Sequence, residues 1–233
     1  MESIDKVRGT FGHRHVEPKA TVPLAVIRRL PRYHRYLGDL LRAGKGRISS
    51  AELAKIMGVT ASQIRQDLNC FGGFGQQGYG YNIKFLHKKI SELLGVDEGF
   101  SAVIIGAGNL GRALAATHMF ERRGVDRLAM FDIDPEVVGG EIYGVPVYHV
   151  SELGKFCEEN EVDIGVLTVP KEAAYEVTNV MVGAGVKGFW NFANMELKID
   201  APDVIVENIH LGDSLMALCY ELKTANEKRN KND

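Results

Sequence analysis

Val103-Ile104-Ile105-Gly106-Ala107-Gly108-Asn109-Leu110-Gly111 sets a short apolar run directly before a Gly-x-Gly-x-x-Gly fingerprint, and its reading decides the fold. The apolar run reads as a strand and the stretch from Asn109 to Arg123 as a helix, the strand-turn-helix context that gives the fingerprint meaning. Gly106 allows the tight turn, Gly108 lets the backbone approach a pyrophosphate, and Gly111 lets helix and strand pack closely. The helix N-terminus adds orphan N–H groups and the positive end of its dipole. Twenty-one residues beyond Gly111 a second strand, Leu128–Phe131, leads into Asp132, whose carboxylate is placed to accept hydrogen bonds from an adenosine ribose. No Arg or Lys follows in Ile133-Asp134-Pro135-Glu136, so a 2′-phosphate would meet acid. The pattern favours NADH/NAD+ over the 2′-phosphorylated dinucleotide. A domain of this shape that binds nothing, or that binds coenzyme A, is the competing reading.

Downstream, short apolar runs alternate with helical ones. Strands are predicted at Val145–Val147, Ile164–Val169, Gly188–Phe192 and Val204–Val206. Helices are predicted from a Ser151 cap to about Asn160 and over Glu172–Gly183. Such alternation implies a doubly wound parallel sheet of Rossmann type, covered on both faces. Thr168-Val169-Pro170 leaves the C-terminal end of a strand, the edge where such sheets bind ligands, and either lines the nicotinamide end or makes a strand-to-helix turn. Asn191 and Phe192 at the next strand end carry the same two readings.

Upstream, Leu24, Ile27 and Leu30 recur at helical spacing, Pro31 breaks or kinks the pattern, and Tyr33, Tyr36, Leu37, Leu40 and Leu41 resume it. Ser49 or Ser50 caps a short helix, Gly58-Val59 turns the chain, and Thr60 caps a second helix to about Phe71. Residues 72–81 contain five glycines in ten, which fits a tight β-ribbon better than a helix. The whole reads as a winged helix-turn-helix. In its second helix Ile64, Leu68 and Phe71 form the core stripe, so Ser62, Arg65, Gln66 and Asn69 project outward, and Gln63 flanks that face and is also a candidate to reach DNA. Arg can bond guanine bidentately and Gln or Asn can pair with adenine, although such a face can also be merely solvated. Asp67, on the shoulder near the core, would repel phosphate if exposed and is expected in a structural ion pair. Lys45, Arg47 and Lys55 are candidates for phosphate contacts, and Gln76 and Gln77 at the wing tip for a minor groove.

Charge divides in the same place. Residues 1–90 hold 16 Lys/Arg against 6 Asp/Glu, whereas residues 91–233 hold 12 against 24. The overall value of −2 conceals a basic half suited to a polyanion such as double-stranded DNA. Cys70, Cys157 and Cys219 form no disulfide framework and no metal-ligand spacing, which fits a reducing cytoplasm. No apolar run reaches membrane-spanning length, so no membrane partner is expected. His118, His149 and His210 read as surface or capping residues. No catalytic acid, base or nucleophile stands out, and a chain of 233 residues leaves no room for a substrate domain. This argues against a small NAD-dependent oxidoreductase.

The domains read as a flexible leader over 1–21, for which a DNA-groove arm is the alternative, a DNA-binding domain over 22–94, and a nucleotide domain over 95–209. A terminal helix follows over 210–226 and a polar tail over 227–233. In that helix Leu211, Leu215, Leu218 and Leu222 line one face while Met216, Cys219 and Tyr220 add apolar area on another. It reads as packing into a second subunit, with docking on its own sheet as the alternative.

From about Val22 to Lys223, these features resemble the bacterial redox-sensing transcriptional repressor Rex family. The likeness rests on VPLAVIRRLPRYHRYL, GVTASQIRQDLNCFGGFGQQGYGY, IIGAGNLGRAL with FDID, LTVP, and NIHLGDSLMALCYEL. The resemblance implies a homodimer whose C-terminal helix inserts into its partner near the N-terminal domain. It further implies binding to a two-fold operator when NADH is scarce and release when NADH binds, with the dinucleotide a regulatory ligand. Two departures stand out. Many members have Arg-Lys where this chain has Arg65-Gln66. Some have an Asp near the start of the last helix that pairs with an Arg of the first; that position aligns with His210 here, with Asp213 a turn later. Whether Arg29 pairs with Asp213 is left open by the sequence.

Overall fold

The helical pattern that Pro31 interrupts becomes two helices, α1 over Leu24–Ile27 and α2 over Leu30–Arg42, with Pro31 in the first turn of α2, where a missing N–H is no loss. The computed structural model describes residues 22–71, 75–76 (backbone) and 79–230, and the chain divides between Leu94 and Gly95 into two compact units. The leader lies outside the described residues, as do Gln77, most of the glycine run and the last three residues of the tail.

In the first unit α2 is followed by β1 (Arg47–Ile48), α3 (Ser50–Met57), α4 (Ala61–Asn69), β2 (Gly75–Gln76), β3 (Gly80–Asn82) and α5 (Ile83–Leu94). The strands pair antiparallel in the order β1-β3-β2, so the ribbon predicted from the glycines is a wing. Ser49 caps α3 in a reciprocal box with Glu52, and Thr60 accepts from Gln63 N to start α4. Leu30, Tyr33, Leu37, Leu53, Met57, Ile64, Leu68 and Ile90 close the core between these helices.

The second unit is built on a seven-stranded sheet in the order β10-β9-β8-β4-β5-β7-β6. Its strands are β4 (Phe100–Ile105), β5 (Val125–Asp132), β6 (Glu141–Ile142), β7 (Val145–His149), β8 (Ile164–Leu167), β9 (Gly188–Asn191) and β10 (Ile205–Asn208). All pair in parallel except β6, which returns antiparallel on β7. The helices are α6 (Asn109–Ala115), α7 (Leu153–Glu159), α8 (Lys171–Gly183) and α9 (Leu211–Arg229). Alternation along the strands feeds two cores. Val103, Ile105 and Phe131 meet Leu153, Val177 and Met181 on one face, while Ile104, Met130 and Val147 meet Ala115 and Phe120 on the other.

Two expectations need correction, and one element was not foreseen. The helix from Asn109 stops at Ala115, not Arg123. The Thr117 hydroxyl and amide both turn back to the Leu114 carbonyl, and only a short 3-10 turn follows at Glu121–Arg123. His149, not Ser151, caps the next helical segment, its ring accepting from Ser151 N at 3.3 Å before a 3-10 turn leads into α7. The strand β6 and its hairpin turn at Tyr143-Gly144, with φ of 50° and 79°, were not foreseen. From Leu211 to Arg229 every residue but Thr224 is exposed, and Leu211, Leu215, Met216, Leu218, Tyr220 and Leu222 are each more than half exposed. The alternative that this helix docks on its own sheet is therefore set aside.

Candidate functional site: nucleotide cleft and recognition helix

Because the connection from β4 runs to β5 on one side while β8 lies on the other, the C-terminal ends of β4 and β8 diverge at the topological switch point of the sheet. Gly106 leaves β4 there with φ +101°, a backbone few side-chain-bearing residues adopt. A Cβ on Gly106 would lie 2.9 Å from the Thr168 carbonyl and hydroxyl oxygens, and one on Gly111 would lie 1.9 Å from Gly106 O. Gly108, by contrast, faces open space, with no heavy atom within 4 Å of where a Cβ would stand. The loop is thus packed hard behind and open in front, a cradle whose backbone a diphosphate can approach. Asp132, at the end of β5, accepts from Ala107 N at 2.5 Å with one oxygen and from Ile133 N and Asp134 N with the other. These bonds fix the carboxylate against the loop and leave lone pairs for ribose hydroxyls. The residues fit a dinucleotide.

Thr168 directly follows β8 and stands against the glycine turn. Its hydroxyl donates toward Ile105 O and Gly106 O at 2.9 Å, pinning the glycine turn from the β8 side, and Val169 and Pro170 follow it toward α8. Asn109 is exposed at the cradle's rim and Leu110 is half-buried. Asn191 is wholly buried, bonded to Met195 O, Asn208 and Ala193 N, so its side chain holds the strand ends together. Arg112 was missed. Its Nε donates to Ala107 O at 2.7 Å, laying a cation against the glycine loop. The sequence shows only a basic residue directly after the third glycine, not that it folds back onto the loop.

In the first unit, Ser62, Arg65, Gln66 and Asn69 are exposed on α4 while Ile64 and Leu68 are buried, as the period predicted. Arg65 reaches back to Ser50 Oγ at 3.2 Å. Lys45 pairs with Glu52 at 2.9 Å, and Arg47 on β1 donates to Tyr79 O at 3.2 Å. Gln76 lies on β2, with nothing described of its side chain. Gln63 does not stand free on the outer face, because its amide donates to Asp67 Oδ1 at 2.7 Å. Asp67 is fully buried and also accepts from Arg29 and Tyr33. Burial opposes its charge, but the bonds from Arg29, Gln63 and Tyr33 outweigh burial and hold the carboxyl below its ordinary value. Burial, then the bond to Asp67, pushes the Tyr33 phenol up. The Arg29 guanidinium is thus engaged within its own unit.

A family model described as a CoA binding domain matches residues 97–195, and one described as a putative DNA-binding protein N-terminus matches residues 21–69. The redox-sensing transcriptional repressor Rex of Caldicellulosiruptor saccharolyticus is 52% identical over 210 residues, which cover 90% of this chain and 94% of that protein. The protein of the same description from Clostridium botulinum strain Alaska E43 is 47% identical over 207 residues, covering 89% and 98%. Among solved structures, RSP in complex with beta-NAD+ and operator DNA is 49% identical with a TM-score of 0.83, covering 92% of this chain and 99% of that one. RSP in complex with beta-NADH is 45% identical with the same TM-score, covering 91% and 98%.

Proposed function

Since the chain belongs to the Rex family of redox-sensing transcriptional repressors, we infer how its two units divide that work. It is a DNA-binding repressor that senses NADH, with NADH and NAD+ as regulatory ligands and no enzymatic turnover. The observation that carries this reading is the presence, in one chain, of an open glycine cradle and an outward polar face on a capped recognition helix.

At residue level, Gly106, Ala107, Gly108, Asn109, Leu110 and Gly111 shape the diphosphate cradle and Asp132 takes the ribose. Thr168, Val169 and Pro170 form its far wall, and Arg112 adds a positive charge beside it. The bound dinucleotide supplies two phosphates and a nicotinamide whose net charge depends on its oxidation state. Ser62, Arg65, Gln66 and Asn69 read base edges, Lys45 and Arg47 meet the phosphate backbone, and the wing at Gln76 enters a minor groove. Gln63 serves the helix itself.

A two-fold operator calls for two recognition helices, and the exposed α9 gives a second copy of the chain its contact surface. Access to operator DNA puts the working protein in the cytoplasm. Occupancy of the cleft shifts the dimer between an arrangement that matches the half-sites and one that does not. A coupling of about 1–3 kcal/mol changes DNA affinity roughly 5- to 150-fold.

Paired variants test the division. Asp132→Ala is expected to weaken NADH binding by about 10- to 150-fold, the equivalent of about 1.5–3 kcal/mol for bonds to a charged group, and to leave operator affinity without NADH unchanged. Arg65→Ala is expected to cost about 1–3 kcal/mol on operator DNA and nothing on NADH. Calorimetry with NADH and anisotropy with operator DNA check both, and a variant that lost both activities together would contradict the assignment. A coenzyme A competition separates the remaining reading, since coenzyme A is expected to leave bound NADH in place.

A further inference from the structure

A carboxylate with no exposed surface sits on the inner shoulder of α4. Asp67 accepts from Arg29 Nε at 2.7 Å and Nη2 at 2.6 Å, from the Tyr33 hydroxyl at 2.9 Å, and from Gln63 Nε2 at 2.7 Å. Arg29 stands at the junction of α1 and α2, Tyr33 one turn into α2, and Gln63 in the first turn of α4. The four bonds saturate both oxygens; the one from Gln63 lies within α4, and the three from Arg29 and Tyr33 tie α4 to α2 and its junction with α1, outside the α3–α4 pair.

Stability alone is a weak account of such a cluster, because a buried ion pair replaced by well-packed apolar residues often costs nothing. Direction is what it adds. Ile64 and Leu68 press α4 onto the core through contacts that are non-directional. A guanidinium fork on a carboxylate has a fixed plane and two simultaneous bonds. On a helix whose side chains reach about 6 Å from its axis, a rotation of about 20° moves each tip by about 2 Å, enough to break a bidentate bond to a base edge.

We propose that Arg29 and Asp67, with Tyr33 and Gln63, form a positioning clamp that sets the rotation of α4 and so determines which side chains meet the bases. Asp67 and Gln63 act on specificity without touching DNA. The proposal rests on the reading that α4 is the DNA-reading helix.

The test compares affinity for the operator with affinity for a random duplex of equal length, over a range of salt. It uses the full-length chain and its Arg29→Lys, Gln63→Ala and Asp67→Asn variants, each well below its melting temperature. Arg29→Lys keeps the charge but replaces the fork by a single compact donor. It is expected to weaken operator binding about tenfold, the loss of about one base contact, while random-duplex affinity, salt dependence and NADH affinity stay within about twofold. Gln63→Ala is expected to act in the same direction, less strongly. A purely structural role would lower the melting temperature and move both duplexes alike. An operator-to-random ratio unchanged in folded Arg29→Lys and Gln63→Ala proteins would overturn the clamp while leaving the parent reading intact. If Asp67→Asn fails to fold, these two variants still decide. A native chain that did not distinguish the duplexes would overturn the parent reading and the clamp with it.

Discussion

Gly111 shows how far one residue's role can be read before its surroundings are known. The spacing of the fingerprint assigned it to close packing, and a Cβ there would meet Gly106 O at 1.9 Å. Gly111→Ala is expected to destabilise the nucleotide unit by about 1–3 kcal/mol, the range of overpacking, and to abolish NADH binding. Thermal melting with and without NADH checks this. Acid offers a second test. The folded Asp67 carboxyl lies below its ordinary value, and the Ser49 amide, then Lys45, hold the exposed Glu52 down to about 2. Both therefore stabilise the fold above the unfolded carboxylate range of about 4, and both contributions fade as pH falls through the folded values. Urea midpoints should drop between about pH 4 and pH 2, and by less in Glu52→Gln. The engagement of Gln63 was not legible: at the edge of a polar face it reads as a DNA contact, and only the side-chain geometry turns its amide onto Asp67. The fold-back of Arg112 was hidden for a similar reason, because it depends on a side-chain rotamer.

Elements were legible where period and caps agreed and illegible where a local hydrogen bond decided. A serine cap at 49 or 50, the Thr60 cap, the α3–α4 turn and the parallel strands follow from the sequence because capping, apolar alternation and turn residues point the same way, and the structure settles the first cap on Ser49. The helix after the glycine loop looked longer than it is, since nothing in Ala116-Thr117-His118 is a strong breaker and only the Thr117–Leu114 bonds close it. The β6–β7 hairpin lacked an Asn-Gly signature, and Tyr143 takes the left-handed conformation instead. At this scale the boldest expectation concerns α9, a helix of 19 residues exposed along its length. Most helical stability in proteins comes from tertiary packing of an apolar face, which argues that the second subunit covers it. Leu215→Glu with Leu218→Glu is expected to convert dimer to monomer in sedimentation. Operator affinity should then fall by at least about 100-fold, since burying each leucine contributes about 1.5–3 kcal/mol. A dimer that persists would place the interface elsewhere.

For the molecule as a whole, the uneven charge and the two units describe a single coupling between a polyanion and a dinucleotide. The basic half of the chain, 16 Lys/Arg against 6 Asp/Glu, predicts DNA binding that weakens steeply with salt, so every comparison of ligand states needs one fixed ionic strength. Linkage also requires that operator DNA weaken NADH binding by the same factor by which NADH weakens operator binding. The most direct test is the anisotropy of labelled operator DNA bound to the native protein at fixed salt, titrated separately with NADH and NAD+. Release by NADH at concentrations well below those at which NAD+ acts is the predicted result. Tight binding indifferent to both dinucleotides would contradict it.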